Sequence, residues 1–222
     1  MSSEEIKKER KIVYSPLRLV GILSLIAICT VFLIAASFTR IKVFNCMQVF
    51  EAFLHPEFFP DTNSVFQMKP YFYVPQIPVI LFTSALLGTV CSLTSVFVYI
   101  VIGLAFLPVF ALGGGFDYVI NPSFGYILAF IPGIIVMTGF TDKDYSFKSL
   151  AFATVLSVVS IHFLGFLYMI IVCLIKRTDL LSVADWLLFE SLIKLVYDII
   201  FGFAAVIAAK IARKFIWILT SR

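Results

Sequence analysis

GGGFDYVINPSFGY, residues 113–126, stands between two long apolar runs. The run before it, Ile77 to Ala111, and the run after it, Ile127 to Gly139, contain no charged residue. Asp117 is the only charge between Lys69 and Asp142. Irregular polar backbone at the end of a membrane helix is tolerated only where protein or water satisfies its hydrogen bonds. Glycine admits positive φ and lets backbone approach a ligand closely. The stretch therefore reads either as an ordinary solvated turn, which composition favours, or as a shaped loop beside a ligand.

Working outward, the whole chain belongs to the membrane class. Hydrophobic residues make up 61% of its 222 residues and charged residues only 14%, and mean hydropathy is +1.06. Soluble domains carry about a quarter charged residues. Several runs reach the ~20 apolar residues that a spanning helix needs. The first run follows Lys7, Lys8, Arg10 and Lys11 but is long and lacks a small-residue cleavage site, so it is expected to be retained as a helix. The net charge of +4 sits mainly at the chain ends, with no basic stripe and stacking aromatics of the kind that binds nucleic acid. Cys29, Cys46, Cys91 and Cys173 show no CxxC spacing and read as packing residues rather than metal ligands or a redox pair.

The expected architecture is all-α, a six-helix integral membrane domain over 17–215 between cytoplasmic tails 1–16 and 216–222. The first helix is expected over about 17–38, closed by Arg40 and Lys42. Residues 43–74 form a long extramembrane segment with an amphipathic part, VFNCMQVFEAFLH, and a turn-rich part, HPEFFPDTNS. Its aromatics suit a lid at the interface. Gly88 divides the next run into helices over about 77–88 and 90–107, and later helices are expected over about 122–140, 147–174 and 192–211. Residues 180–192 read as a short interfacial piece containing Trp186.

An even number of spans puts both termini on one side. The termini and the 141–148 loop carry Lys7, Lys8, Arg10, Lys11, Arg18, Lys143, Lys148, Lys210, Arg213, Lys214 and Arg222, against Arg40, Lys42, Lys69, Lys176 and Arg177 opposite. The positive-inside rule makes the termini cytoplasmic. The central loop, the 43–74 segment and the 175–191 connection then share the outer face.

The middle of the chain resembles the BioY family, the biotin-binding S components of energy-coupling factor (ECF) transporters. The resemblance rests on VPQIPVILFTSALLG (74–88) and SLTSVFVYIVIGLAFLPVFALGGGFDYVINPSFGYILAFIPG (92–133). Within these, Tyr99 and Gly103 match Tyr-x-x-x-Gly, and Pro122, Ser123, Gly125 and Tyr126 match Pro-[ST]-x-Gly-Tyr. The GGGxDY and PSFGY forms look most like the cyanobacterial-type branch. The family's last helix opens with Pro-Gly-Asp-x-x-Lys, whose acid contacts the biotin ring system and whose lysine supports binding. The aligned stretch here is Val196-Tyr197-Asp198-Ile199-Ile200-Phe201. The acid is kept as Asp198 and the lysine position is Phe201. The arginine that some members carry after Gly-Tyr is Ile127.

What the resemblance implies is a transport protein and not an enzyme. It would bind biotin at the outer face of the bacterial cytoplasmic membrane, with no cofactor of its own. Its partners would be an ECF transmembrane scaffold subunit, ATPase subunits and membrane lipids. No GxxxxGK[ST] motif is present, so ATP hydrolysis would belong to the partners. Small residues that let helices approach closely are represented on the first helix by Gly21, Ser24, Ala27 and Cys29, a loose version of the scaffold-docking pattern.

Ionisable residues in an apolar helix are costly and are functional candidates by default. Lys194 lies one helical turn before Asp198, so both can face one cavity, and Lys194 is the candidate replacement for the missing lysine. The alternatives are a structural ion pair, or a Lys194 that snorkels to water. Glu190 continues the series and reads as an interfacial partner of Lys194. A ureido ring needs acceptors for two N–H groups and a donor for its carbonyl. Asp198 suits the first role, and Asn121 or the Tyr126 hydroxyl the second. Tyr99, Tyr118 and Phe110 are candidate pocket walls, and Asp117 stands in for the family's polar loop residue. His162 reads as a hydrogen-bonded packing residue.

Three competing readings remain. One is an S component for another small vitamin, which the Phe201 position keeps open. Another is an intramembrane aspartyl hydrolase using Asp117 and Asp198, although Gly-x-Gly-Asp is interrupted by Phe116 and no HExxH is present. The third is a non-binding structural subunit, which would not need Asp198 buried.

Overall fold

The computed structural model of the protein describes residues 19–44, 71–178 and 180–220. Most of the 43–74 segment, including nearly all of its amphipathic part, lies outside the described residues, as do the N-terminal tail and Cys46. Helix α1 (Leu19–Phe38) leads into strand β1 (Ile41–Val43), and β2 (Tyr71–Tyr73) leads into α2 (Gln76–Leu87) and α3 (Thr89–Ala105). A 3-10 turn (Phe116–Ile120), α4 (Phe124–Leu128), α5 (Phe130–Thr141) and α6 (Phe147–Lys176) follow. The chain closes with α7 (Leu180–Leu187), a π-helical segment (Leu188–Ile193) and α8 (Lys194–Thr220).

Four stretches are long and apolar enough to cross a membrane, Val20–Phe38, Phe124–Thr141, Phe147–Lys176 and Glu190–Phe215, and α2 and α3 are shorter apolar helices. Large apolar side chains such as Phe32, Phe97, Phe163, Ile200 and Phe215 point outward, as expected where lipid rather than water is the solvent. The inward side chains form one continuous core that includes Leu33, Ile77, Leu81, Tyr99, Phe130, Ile134, Leu150, Ile161 and Val206. Helix α2 is central and packs against α1, α3, α5 and α8.

Lipid tails are as apolar as leucine, so packing and interhelical hydrogen bonds hold such helices together. On α1 and α3, Thr30 Oγ1 donates to Ser95 O (3.4 Å) and Ser95 Oγ to Ile26 O (3.3 Å). Beside them Cys29 and Cys91 are buried with Leu87. The cysteines here are packing residues, as their spacing indicates.

One expected break is present, and three elements depart from expectation. Gly88, with φ of 80°, breaks the second run as expected, and α3 begins at the next residue. The expected single helix over about 122–140 is instead broken at Ala129. Pro132 is the cause: it has no N–H to give the Leu128 carbonyl, and its ring crowds that carbonyl. The expected interfacial piece and last helix are one continuous rod from α7 through the π segment into α8, whose backbone stays helical to Thr220.

The third departure is the β1–β2 ladder, which no sequence pattern announced. Its antiparallel register pairs Ile41 with Tyr73, Lys42 with Phe72 and Val43 with Tyr71. It closes the two described ends of the long segment against the bundle. The Tyr197 hydroxyl on α8 donates to the Phe44 carbonyl and tethers the same corner.

Candidate functional site

The glycine triplet is a shaped loop. Gly113 and Gly115 hold φ of 132° and 90°, conformations that L side chains rarely adopt. Gly114 is tight for a different reason: a Cβ there would sit 2.6 Å from Pro108 Cα and 2.7 Å from the Gly103 carbonyl oxygen. The Gly115 N–H donates to that same oxygen at 2.8 Å, pinning the loop to α3. The loop then delivers Tyr118, which is buried with Phe110 and Phe124 in a cluster of tilted and edge-on rings.

Between this loop, the β ladder and the π segment lies a cavity of ≈ 230 Å³. That is somewhat below the ~300–1,000 Å³ range of ligand pockets, and suits a compact ligand. Arg40, Gln76, Glu190 and Lys194 supply its charged and amide groups, and Tyr71, Tyr118 and Tyr126 its phenols. Phe72, Val74, Ile127 and Phe130 contribute apolar wall. Few convergent polar groups on an apolar lining is the usual build of a small-molecule site.

The charged floor of the site is built around Asp198, which is fully buried. Tyr73 Oη donates to its Oδ1 at 2.7 Å, and Lys194 Nζ to its Oδ2 at 2.9 Å. His162 Nε2 lies 3.0 Å from the same Oδ2. A carboxylate taken out of water survives only when paired and hydrogen-bonded, and here β2, α6 and α8 each contribute one partner. The Tyr73 hydroxyl is pushed well up by burial and then by the Asp198 charge, so it stays a donor. Phe201, at the position where the resemblance leads one to expect lysine, stacks on the Tyr73 ring at 5.1 Å and buttresses this network.

A second network lies beside it. Gln76 Nε2 donates to Ser37 Oγ (2.8 Å) and Tyr99 Oη (2.9 Å), and Ser37 and Tyr99 share a 2.9 Å hydrogen bond. It joins α1, α2 and α3 and fixes the Gln76 side chain at the cavity wall. Tyr126 reaches the site because Gly165 on α6 leaves room for its ring: a Cβ there would lie 2.5 Å from Tyr126 Cδ1. Its hydroxyl shares a short hydrogen bond with Ser191. The π segment carries Ser191 and Glu190, and such segments place side chains that a regular helix would turn aside.

The candidates named from sequence therefore separate. Lys194, Tyr118 and Tyr126 line the cavity. Asp198 is one layer behind the wall, holding Lys194. Tyr99 is also behind the wall, holding Gln76. Asn121 Oδ1 accepts from Ser123 N at 2.9 Å and caps a local turn. Asp117 is exposed in the 3-10 turn and is not part of the lining. It is also absent from the Asp198 network, so no aspartyl pair forms. His162 is hydrogen-bonded and buried against the Tyr126 ring edge. Glu190, expected at the interface beside Lys194, instead faces the cavity, while Lys194 donates its hydrogen bond to Asp198. Gln76, Arg40 and Tyr73 were not singled out from sequence. The one available signal was Gln76 itself, an amide between two prolines at the head of an uncharged run. Burial pushes the Tyr118 hydroxyl up to about 12, with the Glu190 charge adding to the shift, so it too remains protonated at the wall.

Three comparisons bear on this geometry. The BioY family model matches residues 10–217. A probable biotin transporter BioY of Lysinibacillus sphaericus is 41% identical over 68 residues, which are 31% of this chain and 35% of that protein. The match thus spans about a third of the length of that curated relative. Among solved structures, the S-component for biotin from an ECF-type ABC transporter superposes with a TM-score of 0.63 at 21% identity. That superposition covers 88% of this chain and 92% of the other, and shows that the two share a fold.

Proposed function

This chain belongs to the BioY family, and from that premise we propose that it binds biotin at the outer face of the bacterial cytoplasmic membrane. It acts as the substrate-specific subunit of an ECF-type importer, with both termini cytoplasmic. The observation that carries the reading is the cavity itself. It sits at one end of the bundle and combines an acidic acceptor (Glu190), an amide (Gln76), two basic donors and a phenolic and apolar wall.

These groups match what biotin presents. A ureido ring offers two diverging N–H donors, one of which the Glu190 carboxylate accepts, and a carbonyl, which a phenol such as Tyr126 or Tyr118 meets. The bicyclic ring and the aliphatic chain lie against Ile127 and Phe130. Lys194 faces the ligand with its position set by Asp198, so Asp198 acts by holding the lysine. The β1–β2 ladder frames the mouth, and the 43–74 segment that it ends is proposed as a lid whose closed form the ligand favours.

Energy for transport comes from partners, a transmembrane scaffold and ATPases, since the sequence carries no GxxxxGK[ST] motif. The test is uptake of labelled biotin by cells that lack their own biotin transporter and express this chain, with and without a scaffold and ATPase module. Uptake above vector-only cells, displaced by unlabelled biotin, supports the reading. Cells that make the folded protein, carry a functional module and still take up no biotin overturn it.

A further inference from the structure

We propose that Arg40 is the residue that reads the carboxylate of the ligand at the mouth of the cavity. The inference rests on the biotin reading above and assigns one end of that ligand. Among the described residues, two basic ones line the cavity, Arg40 and Lys194. Lys194 is already committed: its Nζ is 2.9 Å from the buried Asp198 and 5.9 Å from the Tyr73 ring, and the pair is close to neutral as seen from the cavity. Arg40 differs on each count. It is exposed at the cavity edge, and among the described residues no carboxylate forms a salt bridge with it. Among the described residues, an incoming anion therefore meets an unpaired guanidinium at Arg40 and a paired ammonium at Lys194.

Position supports the same assignment. Arg40 directly precedes Ile41, whose ladder partner is Tyr73, and Tyr73 is fixed by its hydrogen bond to Asp198. The backbone that carries Arg40 is thus tied to the buried network, while its side chain is free to turn to the cavity. A planar guanidinium presents two parallel N–H groups that suit a carboxylate. The other places where a basic residue was expected are filled differently. Ile127 lines the cavity as an apolar wall, and Phe201 is stacked on Tyr73. The competing role for Arg40 is a cation closing the C-terminus of α1, which ends two residues earlier, where the helix dipole favours positive charge.

The test titrates biotin and biotin methyl ester into detergent-purified wild type, R40Q and R40K. Wild type is expected to favour biotin over the ester by about tenfold or more, the loss that goes with one charge-assisted hydrogen bond. R40Q is expected to lose that preference while binding the ester as wild type does, and R40K to keep part of it. Unchanged ester affinity separates a lost carboxylate contact from a damaged α1, which would weaken both ligands. R40Q that still prefers biotin as strongly as wild type overturns the proposal, as does a wild type indifferent to the ester group. Both results leave biotin binding itself standing. Folded wild type that binds neither ligand removes the biotin reading, and the Arg40 assignment with it.

Discussion

Helix α8 carries basic residues into the protein interior at both ends, and the two ends use them differently. At the cavity end, Lys194 is held by Asp198, with Tyr73 and His162 completing the carboxylate's shell. At the opposite end, Arg213 is buried and lies 4.6 Å over the Tyr145 ring. Lys210 Nζ donates to the Tyr145 carbonyl at 3.0 Å, and the Tyr145 hydroxyl donates to Ala85 O at 2.9 Å. Both clusters stitch α8 to distant parts of the chain. The first borders the cavity, with the Glu190 carboxylate and the Gln76 side-chain oxygen beside it. A buried charge in a membrane helix is thus a functional candidate whose promise depends on the space next to it. The Tyr145 cluster is a staple, whereas the Asp198 cluster is the floor of a cavity.

Substitutions at the two ends sharpen this contrast. The largest effect is expected for Asp198→Ala, which leaves Lys194 and His162 without their acceptor. Breaking a buried ion pair from one side costs about 3–5 kcal/mol, to be seen as a lower melting temperature in detergent together with loss of biotin binding. Wild-type stability in that variant would mean that the network does not hold the bundle. Next is Glu190→Gln, which keeps shape but removes the charged acceptor. Biotin affinity should fall by about 1.5–3 kcal/mol, the range for a hydrogen bond to a charged group, with melting unchanged. Unaltered affinity would take Glu190 off the ligand.

At the far end, Arg213→Met should lower stability by about 1–2 kcal/mol through the lost cation–π contact, and leave the dissociation constant for biotin as it is. A matching fall in affinity would erase the distinction between staple and floor. The smallest effect is expected for Tyr99→Phe. Removing its hydroxyl from the Ser37–Gln76 triad should cost about 1 kcal/mol of stability, and a modest loss of affinity should follow through the loosened Gln76.

What the sequence made legible and what it hid divide along contact range. The membrane class, the break at Gly88 and the acid in the last helix are local in the chain, and each was readable from composition, one glycine or one charge in an apolar run. The Asp198 shell was not: Tyr73 is 125 residues away, and nothing in its neighbourhood marks it as a partner. Gln76 and Ser37 likewise meet only through packing of α1 on α2. The orientation of Glu190 depends on the π segment, whose extra residue per turn leaves no compositional trace. Asp117 shows the reverse case. It stood out as the lone charge over a long interval, yet the 3-10 turn carries it to the surface. Charge isolation draws attention to a residue without saying which way the backbone will turn it.

The most direct test of the central claim, that this cavity is the biotin site, is calorimetric titration of purified wild type and Ile127→Trp. Ile127 lines the cavity outside both hydrogen-bond networks, so the indole fills the space and spares the Asp198 shell. One biotin bound per folded wild-type chain, with binding abolished in an Ile127→Trp protein that melts as a folded chain, is the predicted result. Equal binding by both proteins would place biotin elsewhere on the molecule.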